Sequence, residues 1–252
     1  MKWILLLLLV APSLEAATRF AFASEVTGNA IARPETGTVV IDGDSYRIDH
    51  VPPKPELSSL ISTDGGKTVT ALNAGLRTYY HLNETKQAIG LLAMIPLLQG
   101  RPQSVTLDEV SVTEEPAAET IAGFKTRKYV LRLKYRTKTD VGSEVFPTSF
   151  TATGEIWTTD AIDSTLDPFQ LRRMRTGYDD VDTKLREVLA AVKGFPLMRR
   201  LAVSRKIANG RAQTELYTTT FSDFASAEVP AQTFSVPAGY EYQEPVIVAP
   251  GR

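Results

Sequence analysis

Gly65-Gly66-Lys67-Thr68 has the ending of a phosphate-binding loop. That motif needs a further glycine five residues before Gly66, and Ile61 stands there. It also needs a helix after the Lys-Thr pair, whose amides cradle the phosphate, whereas Val69-Thr70-Ala71-Leu72 reads as strand. The segment is expected to be a turn. Asp42, Asp44, Asp49 and His50 bring three carboxylates and an imidazole close together. Calcium loops use closely spaced carboxylates, but the EF-hand spacing is absent and Asp-Gly-Asp is ordinary turn chemistry. No metal ligand is assigned. His50 and His81 are the two histidines, and there is no cysteine, so thiol catalysis is excluded. A Ser-His-Asp triad would need one of these histidines, and no serine lies in G-x-S-x-G. Both histidines read as strand-end residues, exposed or half-buried. Paired carboxylates for glycosidic chemistry need only converge in space, and nothing singles out a pair. No catalytic residue and no cofactor is assigned, and the chain is not expected to be an enzyme.

Two further features allow two readings each. Lys128, Arg132, Lys134, Arg136 and Lys138 alternate with Tyr129, Leu131, Leu133 and Tyr135, with Val130 the only exception. On a strand this puts the cations on one face, about 7 Å apart. That face either meets an anionic ligand or membrane headgroup, or is solvated and paired with acids on adjacent strands, such as Glu155. The apolar stretch Ala88–Leu98, bent by Gly90 and Pro96, is either a core helix or a lid over a concave sheet.

The elements that would position these residues are mostly strands. Arg19–Val26 alternates, with Phe20, Phe22 and Val26 on one face. Asp42-Gly43-Asp44 separates Thr38–Ile41 from Ser45–Asp49, a strong hairpin signal. Asp64-Gly65-Gly66 repeats the design between Leu60–Thr63 and Lys67–Leu72, and Leu76–Leu82 follows as a short strand. Lys128–Lys138, Phe150–Thr159, and a last hairpin of Leu201–Ile207 and Ala212–Phe221 around Asn209-Gly210 complete the set. Val51–Pro55 reads as a stiff connector, and Glu114–Glu119 as a solvated loop. Asp182–Lys193 reads as a helix, with Leu185, Val188, Leu189 and Val192 on one face, acids at its start and Gly194 at its end. A second helix is expected from Asn83 to about Leu98. The pattern indicates a mainly β (α+β) fold, an antiparallel sheet, barrel or part-barrel.

Met1-Lys2, the apolar run Trp3–Val10 and the small residues Ala16-Ala17 make a tripartite signal-peptide pattern, too short for a permanent membrane anchor. The expected division is residues 1–17 as signal peptide, 18–243 as one β part-barrel domain and 244–252 as a loose tail. The mature protein is expected to be periplasmic or secreted, without a lipid-attachment cysteine or transmembrane helix. With net charge −1, nothing steers it toward nucleic acid.

Several segments, in order, resemble the lipoprotein-carrier-like (LolA/LolB-like) superfamily of exported bacterial proteins, and in particular its members of unassigned function. They are Gly37–Asp49 with its Tyr46-Arg47-Ile48-Asp49, Ser62–Lys67 followed by Arg77–Tyr80, Glu119–Tyr129 with Gly123-Phe124, Gly154–Thr158, and Phe234–Tyr240. None is a catalytic signature. The resemblance implies an incomplete antiparallel β-barrel with helices on its concave side, enclosing an apolar cavity. It implies a lipid or an acylated protein as partner, with a membrane surface or envelope protein as a further one. Alternation and the apolar helix nominate Phe20, Phe22, Tyr46, Ile48, Leu91, Met94, Leu98 and Trp157 as the cavity lining. Three readings stand. The first is an exported binder or carrier of an apolar ligand. The second is a structural or interaction protein of the cell envelope with a self-filled core. The third is a hydrolase with a site converged in space.

Overall fold

The computed structural model describes residues 17–28, 34–53, 57–82, 104–115, 119–141, 144–162, 178–207 and 212–244. The nominated Leu91, Met94 and Leu98, the second helix and the signal segment lie outside these residues. Six strands come first: β1 (Ala17–Thr27), β2 (Glu35–Asp42), β3 (Ser45–His50), β4 (Ser59–Ser62), β5 (Val69–Asn73) and β6 (Thr78–Leu82). Next are β7 (Ser104–Glu115), the short β8 (Thr120–Ile121) and β9 (Phe124–Lys125), and the long β10 (Arg127–Val141) and β11 (Glu144–Thr159). Helix α1 (Asp179–Leu189), β12 (Phe195–Ile207), β13 (Ala212–Ala227) and β14 (Glu241–Tyr242) complete the order.

Twelve strands form one open sheet in the order β14-β6-β5-β4-β3-β2-β1-β13-β12-β11-β10-β7, and β8 pairs with β9 separately. Every pairing in the large sheet is antiparallel except β14 on β6. The sheet does not close into a barrel. The fold is mainly β, as the alternation predicts.

The two-residue turn at Gly43-Asp44 joins β2 to β3, with Asp42 opposite Ser45 and Gly43 at φ 54°. The segment Ser62–Thr68 is a turn held by its own side chains. The Asp64 carboxylate accepts the Thr68 amide at 2.9 and 3.0 Å, and the Ser62 hydroxyl accepts the Gly66 amide at 2.9 Å. Strand, not helix, follows it.

Residue-by-residue pairing assigns each side chain to a face. The inner face buries two apolar clusters. The first centres on Phe20, Phe22, Val39, Tyr46, Ile48 and Phe221. The second joins Tyr129, Leu131, Leu133, Tyr135 and Ile156 to Val181, Leu185 and Leu189 of α1. Three register shifts tune the sheet. One lies in β13 opposite Phe20, where Asp223 takes φ 57° and the register shifts. It lets Phe224 stack on Phe20 at 5.0 Å while Phe221 meets the same ring edge-on at 5.8 Å. A second lies in β7 at Asp108, and a third in β12 at Leu197, opposite the step from Trp157 to Thr158.

Three local expectations need correction. The helix starts at Asp179 and ends at Leu189, before Gly194. The bonds from the Ala191 amide to Val188 and from the Val192 amide to Leu189 tighten the chain there and stop the α-helix. Glu114 and Glu115 belong to β7 rather than to a loop, because they pair with Tyr129 and Lys128. His50 is buried: it packs edge-on against Phe22 at 5.9 Å and its amide bonds the Ser58 carbonyl at 3.0 Å.

Candidate functional site

The first cluster gathers four of the nominated lining residues. Phe20 and Phe22 arrive on β1, Tyr46 and Ile48 on β3, and all four are almost fully buried. Cross-strand register brings them together: β2 lies between β1 and β3, and Val39 sits opposite both Phe20 and Ile48. Around them the structure adds Phe195, Phe221, Phe224 and Phe124, packed at ring distances of 5.0 to 6.3 Å. Local alternation missed these, since Phe224 enters only through the β13 bulge and Phe124 through the small β8–β9 hairpin.

Trp157 does not join them. It pairs with Lys128, so it lies on the outer face with the basic ladder, while its neighbour Ile156 pairs with Tyr129 inside. Its ring is flanked by the Lys128 ammonium at 5.3 Å and the Arg200 guanidinium at 5.5 Å, a cation–π arrangement. Its assignment to the lining is therefore corrected. Glu155 and Trp157 share strand parity, and that was the available signal.

The basic ladder is largely ion-paired. Lys128 meets Glu155 at 2.7 Å and Glu115 at 3.2 Å, Lys134 meets Glu109 at 2.6 Å, and Arg136 meets Asp108 at 2.6 Å. Hydrogen bonds to these carboxylates push the Lys128 and Arg136 pKa values up and pull Asp108 down. The reading of a solvated face paired across strands describes these three cations.

The inner face also carries polar groups. Arg199 is 3% exposed, directly opposite Ile156 and Thr219, with its guanidinium 5.8 Å from the Phe221 ring centre. Ser24 and Thr219 share a hydroxyl hydrogen bond of 3.1 Å in the same row. Farther along the strands lies a polar group on β12 and β13. Tyr217 donates to Glu215, Gln213 donates to Glu215 at 3.2 Å, and Arg205 donates to the Gln213 carbonyl oxygen at 2.7 Å. Burial first, and Glu215 next, hold the Tyr217 phenol well above its ordinary value.

Tyr129 and Tyr135 differ from the other polar groups. Both are at most 2% exposed, and neither hydroxyl has a hydrogen-bond partner among the described residues. Burial is the main reason that the Tyr135 phenol sits far above its ordinary value, with Tyr217 adding to it. Such a hydroxyl costs about 1–3 kcal/mol of desolvation when nothing pairs with it.

No known family's sequence profile matches the chain, and no curated protein is significantly similar to it. Solved structures that align with the chain include two that cover most of it. A LolA superfamily protein from Nitrosomonas europaea aligns over 88% of this chain and 90% of its own, at 11% identity and a TM-score of 0.35. PNGF-II aligns over 91% of this chain but 32% of its own, at 10% identity and a TM-score of 0.39. At these values neither decides a family, and the fold class rests on the sheet described above. Among the described residues, no helix is long and apolar enough to cross a membrane, and no three metal-binding side chains converge.

Proposed function

We propose that this chain is an exported protein that binds or carries a lipid or other apolar ligand on the inner face of its open sheet. The observation that carries the proposal is the extent of the apolar inner face. The inner face bears two apolar clusters across at least ten strands and ends in two buried tyrosine hydroxyls without partners among the described residues, whereas the other face carries the ion pairs together with the buried Ile61, Leu72, Val130 and Trp157. Phe20, Phe22, Tyr46 and Ile48 form the floor at one end, and Leu91, Met94 and Leu98 are proposed to complete the cover. An acylated protein, a membrane surface or an envelope protein is the expected source or recipient of the ligand.

The test is native mass spectrometry of the mature protein purified from the envelope, with organic extraction of bound material. A lipid adduct at stoichiometric level supports the proposal and identifies the ligand class. A clean apo mass, together with no response to lipid probes, refutes it.

A second reading, an envelope structural protein with a self-filled core, is favoured by one observation. The rings of Phe20, Phe195, Phe221 and Phe224 pack against one another and fill the first cluster with the chain's own side chains. The same mass measurement separates the two.

A further inference from the structure

The second cluster contains one stretch where the sheet floor carries almost no side chain. On β11, Gly154 and Ala152 stand between Ile156 and Phe150 on the inner face. Leucines of β10 flank them on one side, and Leu201 and Val203 of β12 on the other. The stretch is bounded at each end by a tyrosine. Tyr129 pairs with Ile156, and Tyr135 stacks on Phe150 with ring centres 4.5 Å apart and planes within 3°. Six residues of extended strand separate the two tyrosines, about 20 Å. Small residues alone would only let α1 pack closely. The buried hydroxyls at both ends are a second, independent feature: each needs a polar partner that the described residues do not supply.

The two ends differ electrostatically. Tyr135, Phe150 and Arg205 lie side by side in one row of β10, β11 and β12. Arg205 is held by the neutral Gln213 amide, whereas Glu215 is satisfied by Tyr217 and Gln213. An anionic group placed over Phe150 would therefore meet a phenol donor on one side and a guanidinium on the other.

We propose that this trough seats the alkyl chain of a long-chain carboxylate, with its carboxylate between Tyr135 and Arg205. The inference rests on the apolar-ligand reading above and names its ligand class. The Tyr135 phenol stays protonated, because burial disfavours the phenolate, so it donates to the carboxylate rather than repelling it. Val181, Leu185 and Leu189 of α1 belong to the same buried cluster as the trough.

The experiment compares dissociation constants of palmitate and methyl palmitate, by displacement of a fluorescent lipid probe from the full chain. The ester keeps the alkyl chain and removes the charge. Charge-assisted hydrogen bonds predict palmitate binding tighter by about tenfold or more. Y135F and R205M are each expected to bring that ratio to within about threefold of one. Because the Tyr135 hydroxyl bonds nothing among the described residues, ligand-free Y135F is expected to melt no lower than the parent. A ratio near one in the parent, a ratio unchanged in both variants, or a lower melting point for Y135F would each overturn the inference. If methyl palmitate binds without discrimination, the carboxylate inference alone fails. If neither compound binds, the apolar-ligand reading fails with it.

Discussion

Gly37→Ala is the sharpest test of the register that builds the first cluster. Gly37 lies on β2 opposite Phe22, and the Phe22 ring lies over it. A methyl group added there would fall 2.7 Å from Cζ of Phe22 and closer still to Cε1, and would also strike the carbonyl oxygen of Asp49 on β3. The carbonyl is fixed by the β2–β3 ladder, and the ring is held against His50, so neither gives way cheaply. Inserting a methyl into such packing costs about 1–3 kcal/mol, and a backbone clash puts this site in the upper half of that range. For a domain of this size, about 2–3 kcal/mol lowers the melting temperature by roughly 4–12 °C. Calorimetry and urea unfolding of the purified variant measure both quantities. Repeating the substitution in a Phe22→Leu background should relieve part of the loss, giving a coupling of about 0.5 kcal/mol or more. A G37A protein within about 0.5 kcal/mol of the parent would mean that Phe22 does not cover Gly37, and the inner-face assignment of β1 would fall.

Two further outcomes follow from other contacts. Arg47 grips both carboxylate oxygens of Asp49 at 2.9 Å through Nε and donates from Nη1 to the Thr233 carbonyl at 3.2 Å, so it ties the segment after β13 to β3. Lys keeps the charge but not the planar fork. R47K should therefore speed limited proteolysis around residues 228–235, and equal cleavage rates would contradict the tie. Burial pushes the Asp64 carboxyl upward, but the Thr68 amide and hydroxyl, the Ser62 hydroxyl and the Lys67 amide outweigh it and hold the pKa below its ordinary value. A depressed carboxylate stabilises the fold above the ordinary carboxylate range and loses that contribution as pH falls through its folded value. The stability gap between the parent and D64N should thus be full at neutral pH and shrink below about pH 4. A gap independent of pH would refute the assignment.

Local pattern made the strands and the alternate faces legible where the period of two is unbroken. Along β10, Tyr129, Leu131, Leu133 and Tyr135 are buried while Arg132, Lys134, Arg136 and Lys138 are exposed, as their alternation requires, and the buried Val130 on the cation face is the exception. Bulges hid what lay beyond them. In β7, Asp108 interrupts the alternation of Val105 and Leu107 with Val110 and Val112, so a twelve-residue strand carries no continuous period. In β13, Asp223 does the same to Phe221 and Phe224. Trp157 was misplaced because its apolar ring outweighed its parity with Glu155. The pairing of β1 with β13, nearly the whole chain apart, leaves no local trace, because register between distant strands depends on side chains that meet only in the folded sheet.

The same contrast bears on where a ligand sits. Apolar rings can fill a core whatever their partners, since stacking and edge contacts are tolerant of exchange. A buried hydroxyl is not tolerant: it is stable when paired and costly when left alone. In a fold whose whole margin is about 5–15 kcal/mol, two such hydroxyls on one strand are expensive at about 1–3 kcal/mol each. Phenylalanine at both positions would keep the packing and remove the cost. The chain carries tyrosine at 129 and 135, yet it places phenylalanine at 20, 22, 195 and 221 in the first cluster. Packing alone explains the phenylalanines and does not explain the tyrosines. The Tyr135 hydroxyl is accounted for if its partner is the carboxylate that the proposed ligand brings to the row of Tyr135, Phe150 and Arg205.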